Sequence, residues 1–124
     1  MSIPRFFWAA LALALTLAFS QAQAGACGYR YCWGAVGIGY SGAYGWSHSQ
    51  YSEADAIQAA QAGCRGECVE IRTFYNTCGA IAVASNGSWG FGWNDSRGGA
   101  ESNAMNYCRQ GGYNCQIKVW SCSP

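Results

Sequence analysis

Charge is scarce in this chain: only 10% of its 124 residues are Asp, Glu, Lys or Arg. Of the seven basic residues one, Arg5, lies in an N-terminal leader, and the other six are balanced by six acids. Nucleic acid and anionic membranes both demand a basic patch, so a neutral, sparsely charged surface argues against either as the main partner. Histidine occurs once, at His48. That single imidazole leaves little for a metal site or a general base, and Ser47-His48-Ser49 carries no nucleophile-elbow context. No cysteine precedes Cys27, so the leader has no lipobox-like attachment residue.

What the leader does contain is a short basic start ending at Arg5, an apolar run from Phe6 to Phe19, and Ala22-Gln23-Ala24. This is the pattern of a secretory signal peptide over residues 1–24, with a small-residue cleavage site. The apolar run approaches the lower length limit for a membrane-spanning helix; the Ala-x-Ala site favours cleavage over a retained anchor. The expected mature protein, residues 25–124, has the size of one ordinary domain and no membrane attachment.

All eight cysteines fall in that mature part: Cys27, Cys32, Cys64, Cys68, Cys78, Cys108, Cys115 and Cys122. An even number in a small exported chain reads as a disulfide framework. Cys64-x-x-x-Cys68 has a zinc-like spacing, but one histidine and an oxidising compartment favour disulfides over metal. Eight also leave no odd thiol as a nucleophile. Four bridges allow about a hundred connectivities. Tying each helix end to its following strand pairs Cys64–Cys68 and Cys108–Cys115, and leaves Cys27–Cys32 and Cys78–Cys122.

The chain repeats itself. Trp33-Gly34-Ala35 matches Cys78-Gly79-Ala80, Gly42 matches Gly87, and Tyr44/Trp46/His48 match Trp89/Phe91/Trp93 at one constant offset. Ser52, Ala56, Ala60 and Cys64 match Ser96, Ala100, Ala104 and Cys108 at an offset one residue shorter, which places a deletion in a loop. Such a period marks a duplicated supersecondary unit whose copies, at about 32–77 and 78–122, bury their apolar faces together.

Each unit opens with a small-residue strand, Ala35 to Ile38 and Gly79 to Ala84, and turns at Tyr40-Ser41-Gly42-Ala43 and Ser85-Asn86-Gly87-Ser88. Asn86-Gly87 predicts a type I′ hairpin turn with positive φ at both residues. The returning strands, Ala43 to His48 and Trp89 to Trp93, alternate aromatic with small residues, so each set of rings shares one face. A helix follows in each copy. Ser52-Glu53-Ala54-Asp55 has the form of a capping box, and Ala56, Ala60 and Cys64 form a small-residue stripe that lets the helix sit close to a sheet. The second helix, near Ser96 to Cys108, starts through Gly98 and Gly99, which weakens it. The closing strands, Val69 to Thr73 and Ile117 to Val119, alternate apolar with charged residues and predict one buried and one wet face. The fold class is therefore α+β: two ββαβ units in one antiparallel or mixed sheet, or two small sheets, with two short Ala-rich helices and disulfides reinforcing a thin core.

Trp33-Gly34-Ala35-Val36, the Gly-Ala-Tyr-Gly-Trp stretch ending at Trp46, the Ala-rich helix ending at Cys64 and Cys78-Gly79-Ala80-Ile81-Ala82-Val83 together resemble the domain of unknown function 4189 family (DUF4189). The resemblance runs from about Cys32 to Cys122. It implies a small exported bacterial module with no established enzymatic activity and no catalytic residue to carry over. Gly37 and Gly39 depart from the more regular second-copy strand.

Two readings compete for the aromatic stripes. They supply the core that alanine helices cannot, which is the expectation, or they form a platform for sugar rings or an apolar partner. If one stripe is exposed it is the one with His48, which stands where the second copy has Trp93. The acids are accounted for without catalysis: Glu53 and Asp55 by the first helix start, Asp95 and Glu101 by the second, and Glu70 by Arg72 or solvent. A glycosidase requires two carboxylates facing across a cleft, and no such pair is legible. The expected function is thus a secreted or periplasmic, non-enzymatic binding module for a protein or glycan partner in the envelope, without cofactor, with Tyr44, Trp46, His48 and Trp120 as candidate anchors. The alternatives are a small cell-wall hydrolase using His48, an inhibitor or secreted effector acting on a protein, and a purely structural envelope protein.

Overall fold

A computed structural model describes residues 25–124 of the protein; the leader assigned to residues 1–24 lies outside the described residues. The elements are β1 (Trp33–Gly39), β2 (Tyr44–Gln50), α1 (Glu53–Gly63), β3 (Cys68–Tyr75), β4 (Thr77–Val83), β5 (Trp89–Asn94), α2 (Arg97–Arg109) and β6 (Gln116–Ser123), with a short 3-10 turn at Tyr40–Gly42. The strands form two antiparallel three-stranded sheets, ordered β2-β1-β3 and β5-β4-β6. Among the described residues no helix is long and apolar enough to cross a membrane.

Both helices begin on serine caps. Ser52 Oγ accepts from the Asp55 amide at 3.1 Å and Ser96 Oγ from the Gly99 amide at 3.0 Å, each satisfying an amide with no intrahelical partner. Arg97 and Glu101, one turn apart, pair at 2.7 Å and support the glycine-containing start of α2. Each helix then lays its alanines on the outer face of one sheet. Ala56 and Ala60 pack on Ala35, while Ala100, Ala104 and Cys108 pack on Ala80 and Ala82. The approach is close enough to forbid side chains beneath it: a Cβ on Gly45 would collide with the Ala60 carbonyl, and one on Gly92 with the Ala100 carbonyl.

The inner faces of the two sheets meet in a small apolar cluster of Val36, Ile38, Phe74, Ile81 and Val119. The result is four layers, helix–sheet–sheet–helix. Phe74 of β3 is the ring both sheets share. A Cβ added at Gly34 would lie 2.6 Å from one edge of it, and one added at Gly79 would strike the other. The connection from the first sheet to the second is the single residue Asn76, at φ 54°. Its side chain is held from both directions, accepting from the Cys32 amide at 2.9 Å and donating to the Arg30 carbonyl at 3.0 Å.

Disulfides join Cys27–Cys32, Cys64–Cys68, Cys78–Cys122 and Cys108–Cys115, and no described cysteine is free. Cys78 and Cys122 are ladder partners on β4 and β6, 44 residues apart in sequence. Closing a loop of that length restricts the unfolded chain by about 4 kcal/mol in the loop-entropy description. Gln61 doubles the Cys64–Cys68 staple with two hydrogen bonds to the Cys68 backbone, at 2.8 and 3.1 Å.

Three expectations are corrected. The Asn86-Gly87 turn is not type I′, because only Gly87 has positive φ. Asn86 instead uses its side chain, accepting from the Ser88 amide and donating to the Gly111 carbonyl, which holds the turn in a right-handed form closed by one left-handed glycine. The closing strands do not simply bury their apolar residues: register shifts leave Val69 and Lys118 as bulge residues, and Val69 is exposed. The aromatic stripes are only partly core: Trp89 and Phe91 pack partly buried against the apolar cluster, whereas Tyr44, Trp46 and Trp93 are exposed.

The shared ring predicts the most sensitive core position. Phe74→Ala should lose about 3–5 kcal/mol of stability, because the glycines on both sides cannot fill the space. Urea unfolding followed by circular dichroism measures it, and a loss below about 1 kcal/mol would show that the ring does not join the sheets.

Candidate functional site

The site follows from the alternation along β2. Gly45 lies under α1, and Ser47 also faces it, donating from Oγ to the Ala56 carbonyl at 2.7 Å. Tyr44, Trp46 and His48 therefore project from the opposite face, where Ile38 and Val36 of β1 lie beside Tyr44 and Trp46. That is the inner face of the sandwich, but β2 is an outermost strand and its rings extend beyond the cover of the second sheet. Tyr44 is 55% exposed and Trp46 53%. His48 stacks on Trp46, with ring centroids 5.8 Å apart and planes 9° from parallel.

The edge of the second sheet closes against this strand through serines. Ser121 Oγ of β6 donates to the Ser47 carbonyl at 2.9 Å, and Ser123 Oγ accepts from the Ser49 amide at 2.8 Å. Immediately before them on the strand, and with its register partner Ala80 on the α2 side of the sheet, stands Trp120, 40% exposed. The Arg97 guanidinium lies 3.7 Å from its ring centroid, a cation–π contact that fixes the indole and covers one of its faces. Trp46, His48, Trp120, Ser121 and Cys122 together line a shallow groove of about 440 Å³ along the β2/β6 seam.

Of the four candidate anchors the structure thus brings together Trp46, His48 and Trp120. Tyr44 lines a separate recess of about 530 Å³ at the hairpin end, with Tyr40, Glu70, Trp89 and Lys118. His48 Nδ1 lies 2.9 Å from Ser49 Oγ, and no carboxylate is hydrogen-bonded to the imidazole among the described residues. Among the same residues no three His, Cys, Asp or Glu side chains group as metal ligands. Glu70 pairs with Arg72 at 3.3 Å. Arg97 and Ser121 are the members of the site that sequence reasoning missed. Arg97 is legible as a helix-start residue paired with Glu101, but its stacking on Trp120 depends on how α2 crosses β6.

Fold and site define a small, disulfide-stapled α+β module with aromatic side chains displayed at its sheet edges. The chain belongs to the DUF4189 family, a domain of unknown function, whose model matches residues 33–122. No curated protein matches it. It is similar to a solved structure, the NMR structure of Rv1813c from Mycobacterium tuberculosis, at 32% identity over 74% of this chain and 75% of that one, with a TM-score of 0.58.

The serine seam carries its own prediction. Ser121→Ala removes a buried hydroxyl and leaves the Ser47 carbonyl without that donor, so stability should fall by about 1–2 kcal/mol. Amide hydrogen exchange should quicken at Ser49 and in β6 ahead of β4. Unchanged protection at Ser49 would mean that the seam is held by something else.

Proposed function

We propose that the protein is a non-enzymatic binding module, exported to the periplasm or beyond, that docks on a glycan surface of the bacterial envelope through the Trp46–His48–Trp120 groove. The observation that carries this reading is the pair of half-exposed indoles beside one shallow groove, each held by a neighbouring ring or cation. Indoles pre-fixed in this way offer large contact area at little cost in side-chain freedom. Four disulfides suit an oxidising compartment outside the cytoplasm, which agrees with the leader expected at residues 1–24. The near-neutral charge fits a glycan better than a polyanion.

We also infer that the two halves arose by internal duplication. The element order ββαβ occurs twice and each sheet places its first strand in the centre, β2-β1-β3 and β5-β4-β6. On this reading the positions shared by the halves are scaffold. Function belongs where they differ, beginning with His48 against Trp93.

A pull-down on insoluble peptidoglycan combined with a cell-wall turbidity assay tests the proposal. Retention without clearing is expected, and Trp46→Ala should weaken retention about tenfold, the size of one lost aromatic anchor. Clearing that His48→Ala abolishes would replace this reading with a cell-wall hydrolase.

A further inference from the structure

The two edges of the sandwich are closed differently. Serine hydrogen bonds join β2 to β6, whereas among the described residues no hydrogen bond joins β3 to β5, and the contact there is the Arg72 guanidinium lying 4.8 Å over the Trp89 ring. The open edge contains a recess of about 360 Å³, at the small end of the range for ligand sites. We propose that this recess is a saccharide subsite that takes one pyranose ring of a neutral glycan, independently of the β2/β6 groove.

Its walls are aromatic and its polar groups are few and placed. Trp33 and Tyr75 are ladder partners on β1 and β3, with ring centroids 5.0 Å apart and planes at 60°. They occupy the ladder position that the second sheet fills with the Cys78–Cys122 disulfide. Tyr75 is braced from behind by Tyr31, 4.9 Å away. Opposite stands Trp93 of β5, 62% exposed, at the position where β2 carries His48.

Two hydrogen-bonding features in the recess remain unspent. Glu53 Oε1 accepts from Thr73 Oγ1 at 3.1 Å, while Oε2 takes no hydrogen bond from the described residues, and Glu53 forms no ion pair among them. Thr77 Oγ1 is buried and has no partner among the described residues. Thr77 is one of the residues lining the recess, and a buried hydroxyl left alone is costly, so rotation of this side chain toward a ligand hydroxyl would supply the missing partner.

The chemistry selects among ligands. A pyranose offers a C–H face to an indole or phenol and hydroxyls around its rim, which donate to a carboxylate and exchange hydrogen bonds with a threonine. An apolar ligand leaves Glu53 and Thr77 unmatched, an anion is repelled by Glu53, and a quaternary ammonium satisfies the carboxylate and rings but gives Thr77 no partner. The recess combines apolar faces with hydroxyl-matching groups, as a sugar requires.

The test is a ¹⁵N NMR titration of the protein isolated from the periplasm, with chitotetraose, cellotetraose and maltotetraose as probes and tetramethylammonium as the cation control. At least one oligosaccharide should shift the Trp33 and Trp93 indole signals and the Thr73–Thr77 amides at about 10 mM. Trp93→Ala and Glu53→Gln, both at exposed positions, should each weaken binding about tenfold while leaving the rest of the spectrum in place. Three results would overturn the proposal: no shift in the recess with any oligosaccharide, shifts there with tetramethylammonium alone, or affinity untouched by both variants. Shifts confined to Trp46 and Trp120 would overturn it too, while supporting the separate β2/β6 groove.

Discussion

The structure depends on how closely backbone can approach backbone. Phe74 reaches both sheets only because Gly34 and Gly79 present no side chain to its two edges, and the helices reach their strands only because Gly45, Gly90 and Gly92 are bare beneath them. A small protein with alanine helices has little apolar area to bury, and short distances between layers recover part of it through dense contact. The arrangement also fixes where large residues go. Once the outer faces of β2 and β5 are given to glycine and serine under a helix, their aromatics have only the inner face.

That inner face is too narrow for all of them. Val36, Ile38, Phe74, Ile81 and Val119 already fill its centre, so the rings on the outermost strands lie at its margins. On one margin β6 comes close enough for serine hydroxyls to bond β2, leaving Trp46 and His48 displayed above the seam beside Trp120. On the other margin no such bonds form among the described residues, and Trp33, Tyr75 and Trp93 line a recess with Glu53. The two margins thus carry two different aromatic surfaces. The Cys78–Cys122 bridge strengthens the sheet that lacks the Trp33–Tyr75 pair, so stapling and display fall at matching ladder positions of different sheets.

Much of this was legible in the chain because it is local. Ser52 and Ser96 announced their helices, the alanine stripes marked the faces that dock on the sheets, and glycine–aromatic alternation assigned each β2 and β5 ring to one side. The choice between core and platform was not legible, since it turns on which strand ends up outermost and what the other sheet covers. Phe74 drew no attention because it lies outside the matched repeat positions and gains its role only from glycines 40 and 5 residues away in sequence. Asn86-Gly87 misled because the Asn86 side chain found a partner at Gly111, a contact made by the loop after α2. Trp46, His48 and Trp120 were identified as residues, but the groove they share comes from β6 of one sheet meeting β2 of the other.

Each aromatic strand gives one face to a helix and displays rings at the sandwich margin, while Phe74 packs between the two sheets within their shared apolar cluster. Hydroxyl-radical footprinting with residue-level mass spectrometry tests this arrangement most directly. The account predicts ready oxidation of Trp46, Trp93 and Trp120 in the folded protein and protection of Phe74 until unfolding. Protection of Trp46 equal to that of Phe74 would contradict it, because the β2 stripe would then be core and no displayed surface would remain at the seam.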